Sequence, residues 1–98
     1  MIPVIIAAAR LDFFLPETHS LKEKRQILKR IMGRTAEKFG VNVAEVAFQD
    51  LWQRAALGFA VVGNDGGVLS SLVDRMIESI ESMDLARITE RRTELIDF

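Results

Sequence analysis

Residues 39–65 read FGVNVAEVAFQDLWQRAALGFAVVGND, and this stretch decides the fold. It contains two apolar runs, residues 41–48 and 56–63, whose valine, alanine and phenylalanine content is typical of β-strands. A polar connection of seven residues separates the runs and carries the single tryptophan of the chain, Trp52. Because the connection is short, an antiparallel hairpin is the favoured arrangement. The segment therefore predicts the middle of an antiparallel sheet.

The residues before the hairpin predict one strand and one helix. Residues 2–14 are rich in Ile, Ala and Phe, and both of their alternating faces are apolar, which is typical of a strand covered on both sides. Ser20 followed by Glu23 forms a capping-box pattern that begins a helix, and Gly40 favours the left-handed conformation that ends one. We therefore expect a helix to about Lys38. Its predicted buried side consists of Leu21, Leu28, Ile31, Thr35 and Phe39.

The residues after the hairpin predict a second helix and a last strand. Asn64 or Asp65 can cap the helix, whose apolar residues repeat at helical spacing from Leu69 to Met83. Residues 87–98 form a more polar strand pattern that suits partial exposure. The order β-α-β-β-α-β with right-handed crossovers predicts an α+β, ferredoxin-like split βαβ fold, with two helices on one face of an antiparallel sheet. Without a linker or repeat, residues 1–98 are expected to form one domain.

The composition excludes several classes of protein. Apolar residues make up 49% of the 98 residues and charged residues 28%, which is typical of globular domains. No apolar run approaches the roughly 20 residues that span a bilayer, and the apolar amino terminus lacks the basic region of a signal peptide. The absence of cysteine excludes disulfides and thiolate metal sites and favours a cytoplasmic protein. The net charge of −1 predicts no general attraction to nucleic acid.

This average conceals opposite charges on the two predicted helices. Seven basic and two acidic residues lie between residues 22 and 38, a density that would suit a phosphate backbone. Five acidic residues between 65 and 84 accompany a single basic residue, Arg75. The helices could instead neutralise each other across their flank, so both interpretations stay open. The candidate surface for an anionic partner consists of Lys22, Lys24, Arg25, Lys29, Arg30 and Arg34.

The sequence contains no recognisable catalytic constellation, cofactor motif or metal-ligand spacing. His19 is the only histidine, and without a positioned partner it is predicted to be an exposed loop residue. Residues 64–67 read NDGG, but the GK[ST] of a phosphate-binding loop does not follow, so a helix-capping turn is favoured. Residues 57–64 match the RNA-recognition-module pattern only in part, and base stacking on the sheet is not expected. We predict a protein without catalytic activity, cofactor or metal.

Two features predict contacts with other chains. Trp52 and Arg54 are candidate protein-interface residues because both residue types are enriched among binding hot spots. A tryptophan ring folded back over the sheet edge would give the same sequence, so this alternative stays open. In a two-layer domain the second apolar face of the first strand would remain exposed, which predicts a homodimer that covers the sheet.

The two blocks SLKEKR, residues 20–25, and residues 39–65 together resemble the YlxP-like family of short bacterial proteins, a family defined by a domain of unknown function. The similarity covers nearly the whole chain. It implies a ferredoxin-like fold and, because members are commonly encoded beside translation and ribosome-maturation factors, an association with RNA, the ribosome or translation. It transfers no catalytic residues. We therefore expect a noncatalytic accessory protein. The alternative is a protein-interaction or small-molecule regulatory module that uses the sheet face or a dimer groove.

Overall fold

A computed structural model describes residues 2–98 and confirms the predicted order of elements. They are β1 (Ile5–Phe14), α1 (Leu21–Phe39), β2 (Ala44–Ala47), β3 (Arg54–Gly63), α2 (Gly66–Ser82) and β4 (Arg87–Asp97). The four strands form one antiparallel sheet in the order β2-β3-β1-β4. Both helices pack on one face of this sheet, so the predicted α+β ferredoxin-like fold is confirmed.

The core lies between the helices and the two central strands, β1 and β3. Ala9 of β1 is opposite Phe59 of β3, and Leu11 is opposite Leu57, so alternate residues of both strands point to the helices. The helix α2 contributes the apolar stripe that its spacing predicted. The buried residues of α2 are Leu69, Val73, Met76, Ile77 and Ile80.

Two strands are shorter than predicted. β2 contains only four residues, because Val41 and Val43 pack against the core before the strand begins and Phe48 turns the chain with a φ of 63°. β1 begins at Ile5 because Ile5 lies opposite Gly63, the last residue of β3. The pairing of β1 with β3 therefore stops where β3 ends.

The predicted helix caps are present, with one difference. The Oγ atom of Ser20 accepts a hydrogen bond from the Glu23 amide at 3.1 Å, and Gly40 ends α1 with a φ of 67°. The carboxylate of Glu23 accepts from the backbone amide of His19 at 2.8 Å, one residue earlier than the capping box predicts. Asp65 caps α2 by accepting from the Val68 amide at 3.1 Å.

Candidate functional site

The exposed side of α1 carries six basic side chains, which we call the basic face. Spacings of three and four residues arrange them in two rows, because side chains at these spacings are neighbours on a helix. Glu23 and Glu37 are the acidic residues of this helix, so the exposed side has a net charge of +4. The basic face consists of Lys22, Arg25, Lys29, Arg30, Arg34 and Lys38.

The acidic residues of α2 do not form ion pairs with the basic face in residues 2–98. Asp74 and Glu81 of α2 instead approach the guanidinium group of Arg91 in β4, at 3.9 and 3.6 Å. The sequence left open that the two helices neutralise each other, but no ion pair joins α1 to α2 in residues 2–98. All six side chains of the basic face are exposed.

Lys24 points in the opposite direction, and its predicted place in the anion-binding surface is wrong. Its side chain is only 1% exposed. The Nζ atom donates hydrogen bonds to the carbonyl oxygens of Phe48, Gln49 and Arg54 at 2.8, 3.2 and 3.2 Å. These three acceptors match the three ammonium protons. The Oε2 atom of Glu45 lies 3.1 Å from Nζ and balances its charge without a directed hydrogen bond of its own.

The burial of Lys24 had a signal in the sequence. It lies four residues before Leu28 and seven before Ile31, on the stripe that continues to Thr35, and all three of these residues are buried. A lysine on an apolar stripe is either paired or shifted toward the surface. Assigning it by residue type instead of by helical position placed it on the wrong side of α1.

Lys24 and Gln53 fix the loop that joins β2 to β3 to the rest of the domain. Lys24 holds the beginning and the end of this loop through the carbonyl groups described above. The side-chain amide of Gln53 donates to the carbonyl oxygens of Pro16 and Thr18 at 3.1 and 3.3 Å. The backbone carbonyl of Gln53 accepts from the backbone amide of Leu15 at 2.8 Å. The loop is therefore anchored to α1 on one side and to the β1–α1 connection on the other.

Trp52 lies in this anchored loop and is exposed. Its exposed fraction is 53%, and the adjacent Leu51 is 45% exposed. This disagrees with the interpretation of Trp52 as a cover for the core and leaves its ring accessible. Arg54 lies with its guanidinium carbon 4.2 Å from the centre of the Phe48 ring, a cation–π contact. The structure brings Trp52 and Arg54 together at one shallow depression of the surface.

The open face of the sheet is less apolar than the sequence of β1 predicts. Arg10 and Asp12 lie on this face and form an ion pair of 2.9 Å in the middle of the strand. Together with Glu90 and Arg92 of β4, they line a second depression, which is separate from the one at Trp52. Phe59, which matched the RNA-recognition pattern, is buried beneath the helices. Charged side chains thus interrupt the apolar surface of the open face.

The remaining candidate groups are scattered. His19 is exposed at the start of α1. In the part of the chain that the structure describes, residues 2–98, no three His, Cys, Asp or Glu residues are grouped so that they could hold a metal ion. Neither helix in this range has the length and apolar character needed to cross a membrane. Among the residues that the sequence singled out, the basic face and the Trp52 loop are thus the two exposed groups of neighbouring side chains.

These features define a small ferredoxin-like α+β domain with one basic helix and one exposed aromatic loop. The chain belongs to the family described as "Protein of unknown function (DUF503)", whose model matches residues 6–93. It is 36% identical over 90 residues to the "Uncharacterized protein YlxP" of Bacillus subtilis (strain 168), an alignment that covers 92% of this chain and 98% of that protein. The predicted resemblance to the YlxP-like family is confirmed.

A solved structure also shares the fold. The "De novo designed protein Foldit4" superimposes with a TM-score of 0.51 at 15% identity, covering 97% of this chain and 96% of the designed one. At this identity the similarity concerns the fold alone, and it agrees with the sheet and helix arrangement described above.

Proposed function

We propose that this chain is a noncatalytic accessory protein that associates with RNA, the ribosome or translation, and that it binds RNA through the basic face of α1. One observation carries the proposal. Six cations lie exposed along a single helix, and none of them forms an ion pair with α2 in residues 2–98. Their charge can therefore be used by a partner outside the chain.

The physical basis of binding is the release of counterions. A nucleic acid holds condensed cations along its phosphates, and each phosphate that a lysine or arginine neutralises sets some of them free. Residues four apart on a helix are separated by about 6 Å along its axis, so Arg30, Arg34 and Lys38 can follow successive charges of a bound strand. This mode of binding needs no base contacts and no catalytic residue.

The Trp52 loop favours RNA, as the partner of the basic face, over a polyanion without bases. Proteins that bind single-stranded RNA combine a basic surface with aromatic side chains on which bases stack. Lys24 connects α1 directly to the loop that carries Trp52, so the backbone of this loop is held close to the first turns of α1.

A charge-reversal pair tests the proposal. Binding of a fluorescent single-stranded RNA of about 20 nucleotides is measured by anisotropy for the unmodified protein and for the double variant Lys29→Glu/Arg30→Glu. We expect at least about tenfold weaker binding, and a dependence on salt that is less steep by about 1.4 in log–log slope, since two phosphate contacts are lost. Both side chains are exposed, so the unfolding midpoint should change little.

The matched control is Arg75→Glu/Arg87→Glu, which changes the net charge equally at exposed positions outside α1. Binding by this control should stay within a few-fold of the unmodified protein. Equal losses in both double variants would indicate that only the net charge matters and would contradict a site on α1. Capture of the tagged protein from cells, with and without nuclease, then tests whether RNA is the partner there. Ribosomes and most RNA are found in the cytoplasm, so the proposal includes a cytoplasmic location for this protein.

A second candidate function is a protein-interaction module that uses the Trp52 loop. The observation that favours it is an exposed tryptophan in a loop that is anchored at both ends, because a loop whose backbone is already ordered loses little entropy on binding. A small-molecule regulatory module is the further alternative. Its candidate place is the small cleft between α2 and β4, and ligand binding there would be insensitive to the charges of α1.

A further inference from the structure

β4 is a long edge of the sheet that no other strand covers in residues 2–98. The opposite edge, β2, contains four residues, whereas β4 contains eleven, of which only Ile88 is partly buried. An edge of this length presents a row of unpaired amide and carbonyl groups, and natural proteins usually cover or interrupt such a row. The only interruption in β4 is the irregularity near Thr89, opposite Asp12 and Phe13.

The hydrogen bonds of β4 with β1 determine which of its backbone groups are free. The amide of Phe98 donates to the carbonyl oxygen of Val4 at 2.9 Å, and the register of the two strands places these residues directly opposite each other. In an antiparallel pair, hydrogen-bonded and non-hydrogen-bonded residues alternate. The even-numbered residues from Glu90 to Phe98 therefore bond to β1. The backbone groups that point to the free edge belong to Arg91, Thr93, Leu95 and Asp97.

We propose that β4 pairs antiparallel with β4 of a second copy of this chain, about a two-fold axis at Thr93. The pairing would join two four-stranded sheets into one continuous sheet. The homodimer that the sequence predicts would thus form through the edge of the sheet and not through its open face.

The charges of β4 select this register. Centring the axis on Arg92 places the two copies of Arg92 against each other, and centring it on Glu94 does the same with two carboxylates. Centring it on Arg91 opposes two guanidinium groups and draws the irregularity at Thr89 into the pairing. Within one chain, Arg92 and Glu94 form an exposed ion pair of 3.8 Å. Only the axis at Thr93 places Arg92 of each copy opposite Glu94 of the other, so this pair is exchanged for two symmetric ion pairs between the copies.

The same register suits the remaining side chains of the regular segment, residues 90–96. Thr93 lies opposite its own copy, a threonine pair that is favourable across strands. Leu95 and Ile96, which are 50% and 41% exposed, lie opposite the long side chains of Arg91 and Glu90, whose methylene groups can cover them. A single self-complementary strand is what a two-fold symmetric interface requires.

Two opposite charge reversals test the register. Sedimentation velocity at micromolar concentration should show a dimer for the unmodified protein. Arg92→Glu alone and Glu94→Arg alone should each raise the dissociation constant at least about tenfold, because two attractive pairs become two repulsive ones. An equimolar mixture of the two variants should form a heterodimer, since each carboxylate of one chain then meets a guanidinium group of the other.

A backbone variant tests the ladder independently of charge. Thr93→Pro removes the amide that points to the free edge while sparing the bonds to β1, and it should leave the protein monomeric. Thr93→Val keeps the amide and the branched side chain and should still dimerise. Circular dichroism checks that each variant folds, and if Thr93→Pro unfolds, the heterodimer experiment decides alone. A monomeric unmodified protein would overturn the proposal. A dimer that persists in both charge variants would also overturn it and would indicate the open face instead.

Discussion

The two sides of α1 carry the same kinds of residue and use them differently. Lys24, on the inner side, is buried and places every ammonium proton on a carbonyl oxygen. Lys29 and Arg30, on the outer side, are exposed, and in residues 2–98 they form no ion pair. One helix therefore holds a cation that serves the fold beside cations that are available for binding.

This difference follows from the cost of removing charge from water. A buried ammonium group loses its hydration and is tolerated only where hydrogen bonds and an opposite charge replace it, as Phe48, Gln49, Arg54 and Glu45 do here. An exposed lysine keeps its hydration, and its pairing with a neighbour would stabilise the domain by about 1 kcal/mol at most. Replacing an outer cation should thus change the stability of the domain little, whereas replacing Lys24 should lower it.

The largest effect should come from the inner side. Replacing Lys24 by methionine keeps the length of the side chain but leaves three carbonyl groups without their donor and the carboxylate of Glu45 without its opposite charge. We expect Lys24→Met to lower the free energy of unfolding by about 3–5 kcal/mol, as measured by urea denaturation. The matched control is Arg25→Met, the exposed neighbour, which should change stability by no more than about 0.5 kcal/mol.

The partner of Lys24 gives a second check. In Lys24→Met/Glu45→Met both charges are removed, so the double variant should be more stable than Lys24→Met alone. If Lys24→Met and Arg25→Met proved equally mild, the two sides of α1 would not differ as the contacts indicate.

The local features of the fold were accessible from the sequence because their causes are local. Ser20 and Asp65 cap helices through amides three residues away, and Gly40 ends α1 within one turn. The role of Lys24 depends on carbonyl groups 24 to 30 residues further along the chain, which no local pattern contains. Its position on the apolar stripe indicated burial, but its partners could only be found once β2 and β3 were in place.

The candidate site was predicted in part for the same reason. Five of the six basic residues that the sequence proposed are on the exposed side of α1, and helical periodicity alone accounts for this. The exposure of Trp52 could not be predicted, since it depends on Lys24 and Gln53 fixing the loop. The apolar character of the open face of β1 was overestimated, because the sequence analysis considered the apolar residues of this face and left out Arg10 and Asp12, which follow them at alternate positions.

After Lys24→Met, the second largest effect is expected from Trp52, in the loop that Lys24 anchors. If Trp52 contacts a partner, Trp52→Ala should weaken binding of the captured RNA or protein by about 2 kcal/mol. Because the ring is 53% exposed, the unfolding midpoint should change far less than for a buried aromatic residue, whose loss costs about 3–5 kcal/mol. The control is Val68→Ala, which truncates an exposed apolar residue on α2, away from the loop, and should leave binding unchanged. Unchanged binding by Trp52→Ala would remove the loop from the site.

The smallest effect should come from the middle of the outer side, at Gly33. A glycine inside a helix costs about 0.5–1 kcal/mol relative to alanine. Apart from the adjoining residues and the nearby helix backbone, no heavy atom lies within 4 Å of the position that a Cβ atom of residue 33 would take. Gly33→Ala should therefore raise the free energy of unfolding by this amount, whereas Gly40→Ala should lower it, because Gly40 has a φ of 67°. RNA binding by Gly33→Ala then reports how closely a partner approaches. Unchanged affinity means that long side chains alone reach the phosphates, while a loss of affinity in a more stable protein means that the RNA backbone packs against the helix itself.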